Sequence, residues 1–220
     1  MPLETLPTDI NAIRDWTWEQ YAPYFEALQA RTLTADNVSD WLAEWSQIHN
    51  LVFEVFGRLR LAHDQDTNDE EAERRYFGFL ETIFPHLEKA EHVLREKLLQ
   101  SGEALTSMDD LNMGTPLRKL RAEAELFREE NIPLNIELNK LGSAYQKIVG
   151  SQTASWEGEE VPLPQLKPVL SNPDRAVRER VWRLAQERRH DDREALNDLW
   201  QKMLPLRRQT AANAGCADYR

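Results

Sequence analysis

A chain of 220 residues is long enough to bury a sizeable core, as one domain or two. Its 41% hydrophobic and 30% charged content and its seven tryptophans describe a packed globular protein, and a net charge of -11, from 27 Lys plus Arg against 38 Asp plus Glu, argues against a nucleic-acid-binding surface. No run of about 18 apolar residues offers a membrane span, MPLETLPTDI lacks the basic and apolar regions of a signal peptide, and one cysteine makes no internal disulfide, which fits a cytoplasmic location.

Residues 1–15 read as extended, with Pro2 and Pro7 as breakers. A first helix is expected from Trp18 to Ala30, with Tyr21, Phe25 and Leu28 on one face, and Thr17 and Gln20 spaced as a capping box. Pro23 falls in its first turns. A second helix is expected from about Ala35 to Leu61, capped at Thr34. Val38, Leu42, Trp45, Ile48, Val52, Phe56 and Leu59 recur there at helical spacing. His63 to Asn68 reads as a polar turn. A third helix, 69–100, opens on Asp69, Glu70 and Glu71, which complement its dipole, and Pro85 should kink it.

Residues 101–115 read as a loop holding Met108, Leu111 and Met113. Thr115-Pro116 then has the form of an N-cap followed by proline at N1, opening a fourth helix to about Asn131. A fifth opens at Pro133 and runs to about Val149. From Gly150 the pattern changes. Short β-leaning stretches flank Glu157-Gly158, which predicts a hairpin turning there, and residues 165–170 make a short helix or turn. Ser171-Asn172-Pro173-Asp174 reads as a helix start, with Val177, Val181, Leu184 and Ala185 inward. In the last helix Leu196, Leu199, Trp200, Met203 and Leu206 form one apolar stripe, Pro205 predicts a kink and not a stop, and Gly215 stands where a C′ glycine belongs. The fold class is therefore mostly α: a long-helix array with one small β-hairpin.

Candidate chemistry is thin. Glu187-Arg188-Arg189-His190 has the E-x-x-H spacing of di-iron bundles, but they need two such motifs, and a solvated charged face accounts for it better. Glu88 and His92, at i and i+4, read as a weak polar pair more than as metal ligands. His49 and His86 lie beside apolar stripes and read as core or boundary histidines. Cys216 has no histidine near it in sequence and is expected to pack beneath the closing turn. No H-E-x-x-H, G-x-x-x-x-G-K, G-x-G-x-x-G or G-x-S-x-G occurs. The catalytic, cofactor-binding and metal assignments within these residues are therefore all none.

Three stretches nonetheless resemble one family. Leu204, Arg208, Ala212, Gly215, Asp218, Tyr219 and Arg220 follow a pattern L-x-x-x-R-x-x-x-A-x-x-x-G-x-x-D-Y-R, with Gly215 one position early. Leu170 to Arg175 with Val177-Arg178 looks like an L-x-x-x-D-R-x-x-R helix opening, and the hairpin Trp156 to Leu163 precedes it. Together they are similar to the N-terminal region of M3-family zinc oligopeptidases of the oligoendopeptidase F type, over residues 10–220. The resemblance implies an α-rich shell around a deep channel in which short peptides are cut. It also implies a zinc held by the two histidines of H-E-x-x-H and a later glutamate, with the motif's own glutamate as general base. None of those residues is in this chain. Cys216 departs from the larger residue expected there, which does not touch the mechanism.

The expected organisation is a helical region over 1–150, then a hairpin and long helices over 151–220 leading into a catalytic domain absent from this chain. That missing region is expected to pack on the final helix, where Trp200 alone offers on the order of 150–250 Å², and its absence is expected to promote self-association. The alternative is a stand-alone α-helical scaffold or adaptor without catalysis. On either reading residues 1–220 offer no three-ligand cluster. Elemental analysis after dialysis is expected to find no stoichiometric zinc, and one tight zinc per chain would contradict this.

Overall fold

The computed structural model describes residues 5–7, 9–106 and 113–219; Pro2, Met108, Leu111 and Arg220 lie outside them. Ten α-helices, one 3-10 helix and one two-stranded hairpin follow one another among the described residues. No helix among them is long and apolar enough to cross a membrane.

The stretch expected to be extended holds one helical turn, α1 (Ile10–Ile13), because the Asp9 carboxylate accepts from the Asn11 backbone N–H at 2.9 Å and caps it. Helix α2 (Trp18–Ala30) keeps its expected bounds, and Gln20 Oε1 accepts from the Thr17 N–H at 3.0 Å as a capping box requires. Helix α3 (Val38–Gln65) starts later and ends later than its pattern indicates. At its start Asn37 accepts from the Thr34 N–H at 2.9 Å and donates to the Thr32 carbonyl at 3.0 Å, so 34–37 is a turn and Asn37 holds the cap position. At its end His63 is no turn residue. It is 1% exposed, and its ring stacks on Tyr76 with centroids 5.3 Å apart, so burial carries the helix through it.

The single helix expected over 69–100 is two, α4 (Glu70–Thr82) and α5 (Phe84–Leu99), broken at Ile83. Pro85 has no N–H, so the Glu81 carbonyl lacks its helical donor and the chain changes direction. Asp69 caps α4 by accepting from the Glu71 and Ala72 N–H groups. After a short α6 (Glu103–Thr106), α7 (Gly114–Leu126) starts ahead of the expected Thr115 cap, and the Thr115 hydroxyl accepts from Arg118 instead. It also ends short of Asn131. Phe127 is extended, and Arg128 donates to the Glu125 and Phe127 carbonyls across the corner. Helix α8 (Asn131–Gly150) therefore opens before Pro133, not at it.

The hairpin is β1 (Thr153–Trp156) and β2 (Glu159–Pro162), with Thr153 opposite Pro162 and Trp156 opposite Glu159. Glu157 and Gly158 have φ of 55° and 90°, as a two-residue type I′ turn demands. A 3-10 helix (Leu163–Ser171) follows. Helix α9 (Arg175–Asp191) is capped by Asp174, which accepts from the Ala176 N–H at 2.8 Å, so Ser171 and Asn172 lie upstream of the cap and Pro173 is outside the helix. Helix α10 (Arg193–Asn213) runs on through Pro205.

The main core lies among α1 to α5, with Ile13, Leu28, Trp41, Ile48, Leu94 and Leu98 fully buried. Full burial of each such side chain is worth about 1.5–3 kcal/mol. Two buried polar atoms of this core are matched to backbone: Tyr21 donates to the Ile13 carbonyl at 2.9 Å and Trp41 Nε1 to the Leu28 carbonyl at 3.0 Å, whereas neither ring nitrogen of His63 has a hydrogen-bond partner among the described residues. Burial pushes the Tyr21 hydroxyl up to about 12. A second, smaller core joins the hairpin, the 3-10 helix and α9 through Ala154, Leu163, Leu166 and Val181. Helix α10 packs along α8, clamped where Asn131 donates to the Thr210 carbonyl at 3.1 Å and accepts from Asn213 at 2.7 Å. Of the stripe on α10 only Leu199 is buried, and Trp200 is 51% exposed.

The hairpin turn supplies a direct test. Gly158→Val places a β-branched residue at φ 90°, with no neighbouring atom within 4 Å to contribute a clash. The cost is therefore conformational, about 1 kcal/mol or more, read as a lower melting temperature; an unchanged one would show that the turn is not held as described.

Candidate functional site

A groove of about 960 Å³ opens between α3, α5, α7 and the chain that follows α10. Helical spacing builds its walls. Trp45, His49 and Phe53 stand at four-residue steps along α3, and Glu88, Glu91 and Arg95 at three- and four-residue steps along α5. Lys119, Glu123 and Leu126 face them from α7. The end wall depends on how α10 stops. Gly215, at φ 76°, donates to the Ala212 carbonyl and Cys216 to the Ala211 carbonyl, a Schellman ending that turns Cys216, Asp218 and Tyr219 toward the groove.

At the bottom of the groove a carboxylate is buried between two helices. Glu91 is 5% exposed; its Oε2 accepts from Trp45 Nε1 at 2.9 Å and its Oε1 stands 3.0 Å from His49 Nδ1. A carboxylate only accepts, so Nδ1 carries the proton. That leaves Nε2 as the ring's remaining polar atom, on a side chain 41% exposed that lines the groove. The pair has the carboxylate–imidazole half of a nucleophilic triad. Ser46 also lines the groove but makes no hydrogen bond to His49 among the described residues, so no activated nucleophile completes it. The chemistry on offer is recognition: an imidazole held in one tautomer beside aromatic surface. Arg95 and Lys119 both turn to Glu123, at 3.3 and 3.7 Å.

Burial pushes the Glu88 carboxyl up, with the negative charges of Glu91 and Glu123 adding to the effect and Arg95 and His49 opposing it. Burial likewise holds His92 down, its ring stacked on Phe127 with centroids 4.0 Å apart. The pair Glu88 and His92 is thus divided between two jobs, Glu88 lining the groove and His92 packing the corner after α7. Among the described residues no group of three His, Cys, Asp or Glu is placed to hold a metal.

Other sequence candidates fall elsewhere. Glu187 and His190 are exposed on α9, away from the groove. His86 is no core residue but exposed, stacked on Trp18 at 5.4 Å. Cys216, expected beneath the turn, is exposed at the groove instead. Glu91 escaped the sequence reading, though a signal was there. Leu87, Glu91, Leu94 and Leu98 share one helical stripe, and an acid inside an apolar stripe marks a buried polar contact.

Comparison with solved structures shows where this helical array with its groove recurs. No family model matches the chain, and no curated protein matches it significantly. Three solved structures do. One, assigned as an oligoendopeptidase F, matches all of this chain with a TM-score of 0.82 at 21% identity. PZ peptidase A with an inhibitor matches 96% of it with a TM-score of 0.78 at 21% identity. Another assigned oligoendopeptidase F, from Bacillus anthracis, matches 98% with a TM-score of 0.79 at 16% identity. The match spans 38%, 36% and 39% of those proteins, so this chain has the fold of less than two-fifths of each peptidase.

Glu88 gives the site a pH signature. A carboxyl raised above 4.5 in the folded state binds its proton more tightly folded than unfolded, so its contribution to stability is full below 4.5 and declines as pH rises through the window above that value. His92 acts oppositely: held below 6.5, it costs stability only as pH falls through the window beneath that value. Glu88→Gln removes the first term. The variant should gain on the parent in melting temperature between about pH 4 and about pH 7; a constant difference across that range would refute the desolvation of Glu88.

Proposed function

We propose that this chain is the N-terminal, channel-forming part of a zinc oligopeptidase of the M3 type, which hydrolyses short peptides. The observation that carries this is the whole-chain likeness to an assigned oligoendopeptidase F, at a TM-score of 0.82 over only 38% of that protein. On this reading the groove is one wall of a channel. Phe53, Leu126 and Phe127 offer apolar surface to peptide side chains, while His49 Nε2 offers a hydrogen-bonding atom to the peptide backbone.

The residues of this chain do not fit the metal. They contain no H-E-x-x-H, and no three potential ligands converge among the described residues. Zinc, the water it activates and the general base belong to the remainder of such a protein, and no chemical step is assigned to this segment. That remainder would cover the exposed side of α9 and α10, where Trp182 is 53% and Trp200 51% exposed.

The test compares residues 1–220 with the protein encoded when the reading frame is followed past Arg220. The longer protein should cleave a short fluorogenic peptide, lose that activity to a chelator and regain it with zinc. Residues 1–220 should cleave nothing and should self-associate in light scattering. A frame without a downstream H-E-x-x-H, or cleavage by residues 1–220 alone, would overturn the proposal.

A further inference from the structure

One carboxylate in the groove wall has no hydrogen-bond or ion-pair partner among the described residues, and only the more distant charges of Arg95 and His49 favour its ionised form. Glu88 lines the groove, half-buried, on the same face of α5 as Glu91 and Arg95, and makes no hydrogen bond or ion pair among the described residues. The polar groups around it are committed elsewhere. Arg95 and Lys119 both turn to Glu123, at 3.3 and 3.7 Å; His49 Nδ1 and Trp45 Nε1 hold Glu91; and Arg128 donates to two backbone carbonyls. Of the three glutamates that line the groove, two are matched by a hydrogen bond or ion pair and one, among the described residues, is not. A partly desolvated carboxylate without a partner gains more from an arriving cation than an exposed one does, because little water has to be displaced.

We propose that Glu88 is a specificity determinant of the groove, receiving a positively charged nitrogen of the bound peptide: the side-chain cation of a lysine or arginine, or a free N-terminal amine. This rests on the reading of the groove as a peptide site. The surroundings suit that occupant. Phe53 and Phe127 in the same groove give the aliphatic stem of a basic side chain apolar surface to lie on. The chain's net charge of -11 draws cationic ligands toward it from a distance.

Three amidated pentapeptides decide the matter by calorimetric titration of residues 1–220 at low ionic strength. The first is acetylated with a central lysine. The second is acetylated with norleucine in its place, and the third is the norleucine peptide with a free amine. The lysine peptide should bind about tenfold tighter than its acetylated norleucine counterpart, and the third peptide reports whether an N-terminal amine serves as well. Glu88→Gln, a near-isosteric change whose folding is checked by its melting curve, should bring both charged-to-neutral affinity ratios close to unity. Equal affinity of the parent for all three peptides, or a preference that survives in Glu88→Gln, overturns this inference and leaves the peptide-site reading standing. Failure of all three peptides to bind overturns both.

Discussion

A charge placed inside a helical bundle restricts everything around it. Glu91 sits between α3 and α5, and a carboxylate there is tolerated only with its oxygens satisfied. Trp45 and His49 satisfy them from α3, one oxygen each, at 2.9 and 3.0 Å. Those two bonds set the register of α3 against α5, since sliding either helix by one turn would strand the carboxylate. The rest of the main core packs around that register. Trp41 lies one turn before Trp45, and Leu87 and Leu94 bracket Glu91 on the same stripe. The same two bonds orient the imidazole that faces the groove, so core and site are built from one interaction.

The far side of the groove is held by different means. Helix α7 stops at Phe127, and Arg128 ties the corner to two carbonyls that the helix leaves open. Asn131, at the start of α8, reaches Thr210 and Asn213 at the end of α10. Residues some eighty positions apart thereby meet at the groove mouth, and the Schellman ending at Gly215 directs the following residues along it. A groove of about 960 Å³ results from segments of α3, α5, α7 and α10 that are remote in sequence.

The division of charge in the groove follows from this frame. Glu91 and Glu123 are matched by groups the frame brings to them, and Glu88 makes no hydrogen bond or ion pair among the described residues. The fold that carries the groove covers less than two-fifths of the peptidases it resembles.

Much of this was legible in the sequence wherever the deciding interactions are local. The α2 bounds, the Glu157-Gly158 turn, the Gly215 ending and the mostly helical class depend on neighbours within a few residues, and the sequence pattern located each. The likeness to oligoendopeptidases was also readable, from short stretches in the last third of the chain. Tertiary structure decided where the deciding partner is remote. His63 reads as a turn residue and is buried because Tyr76 stacks on it. Asn131 reads as a helix end and opens the next helix, gripping a segment some eighty residues away. Glu91 shows in sequence only as an acid within an apolar stripe, and its partners are set because Trp45 and His49 arrive from another helix. Periodicity reports which face of a helix is apolar. Which atoms meet across two faces is set by packing and by the need to satisfy each buried polar group, and no single stretch of sequence contains both partners.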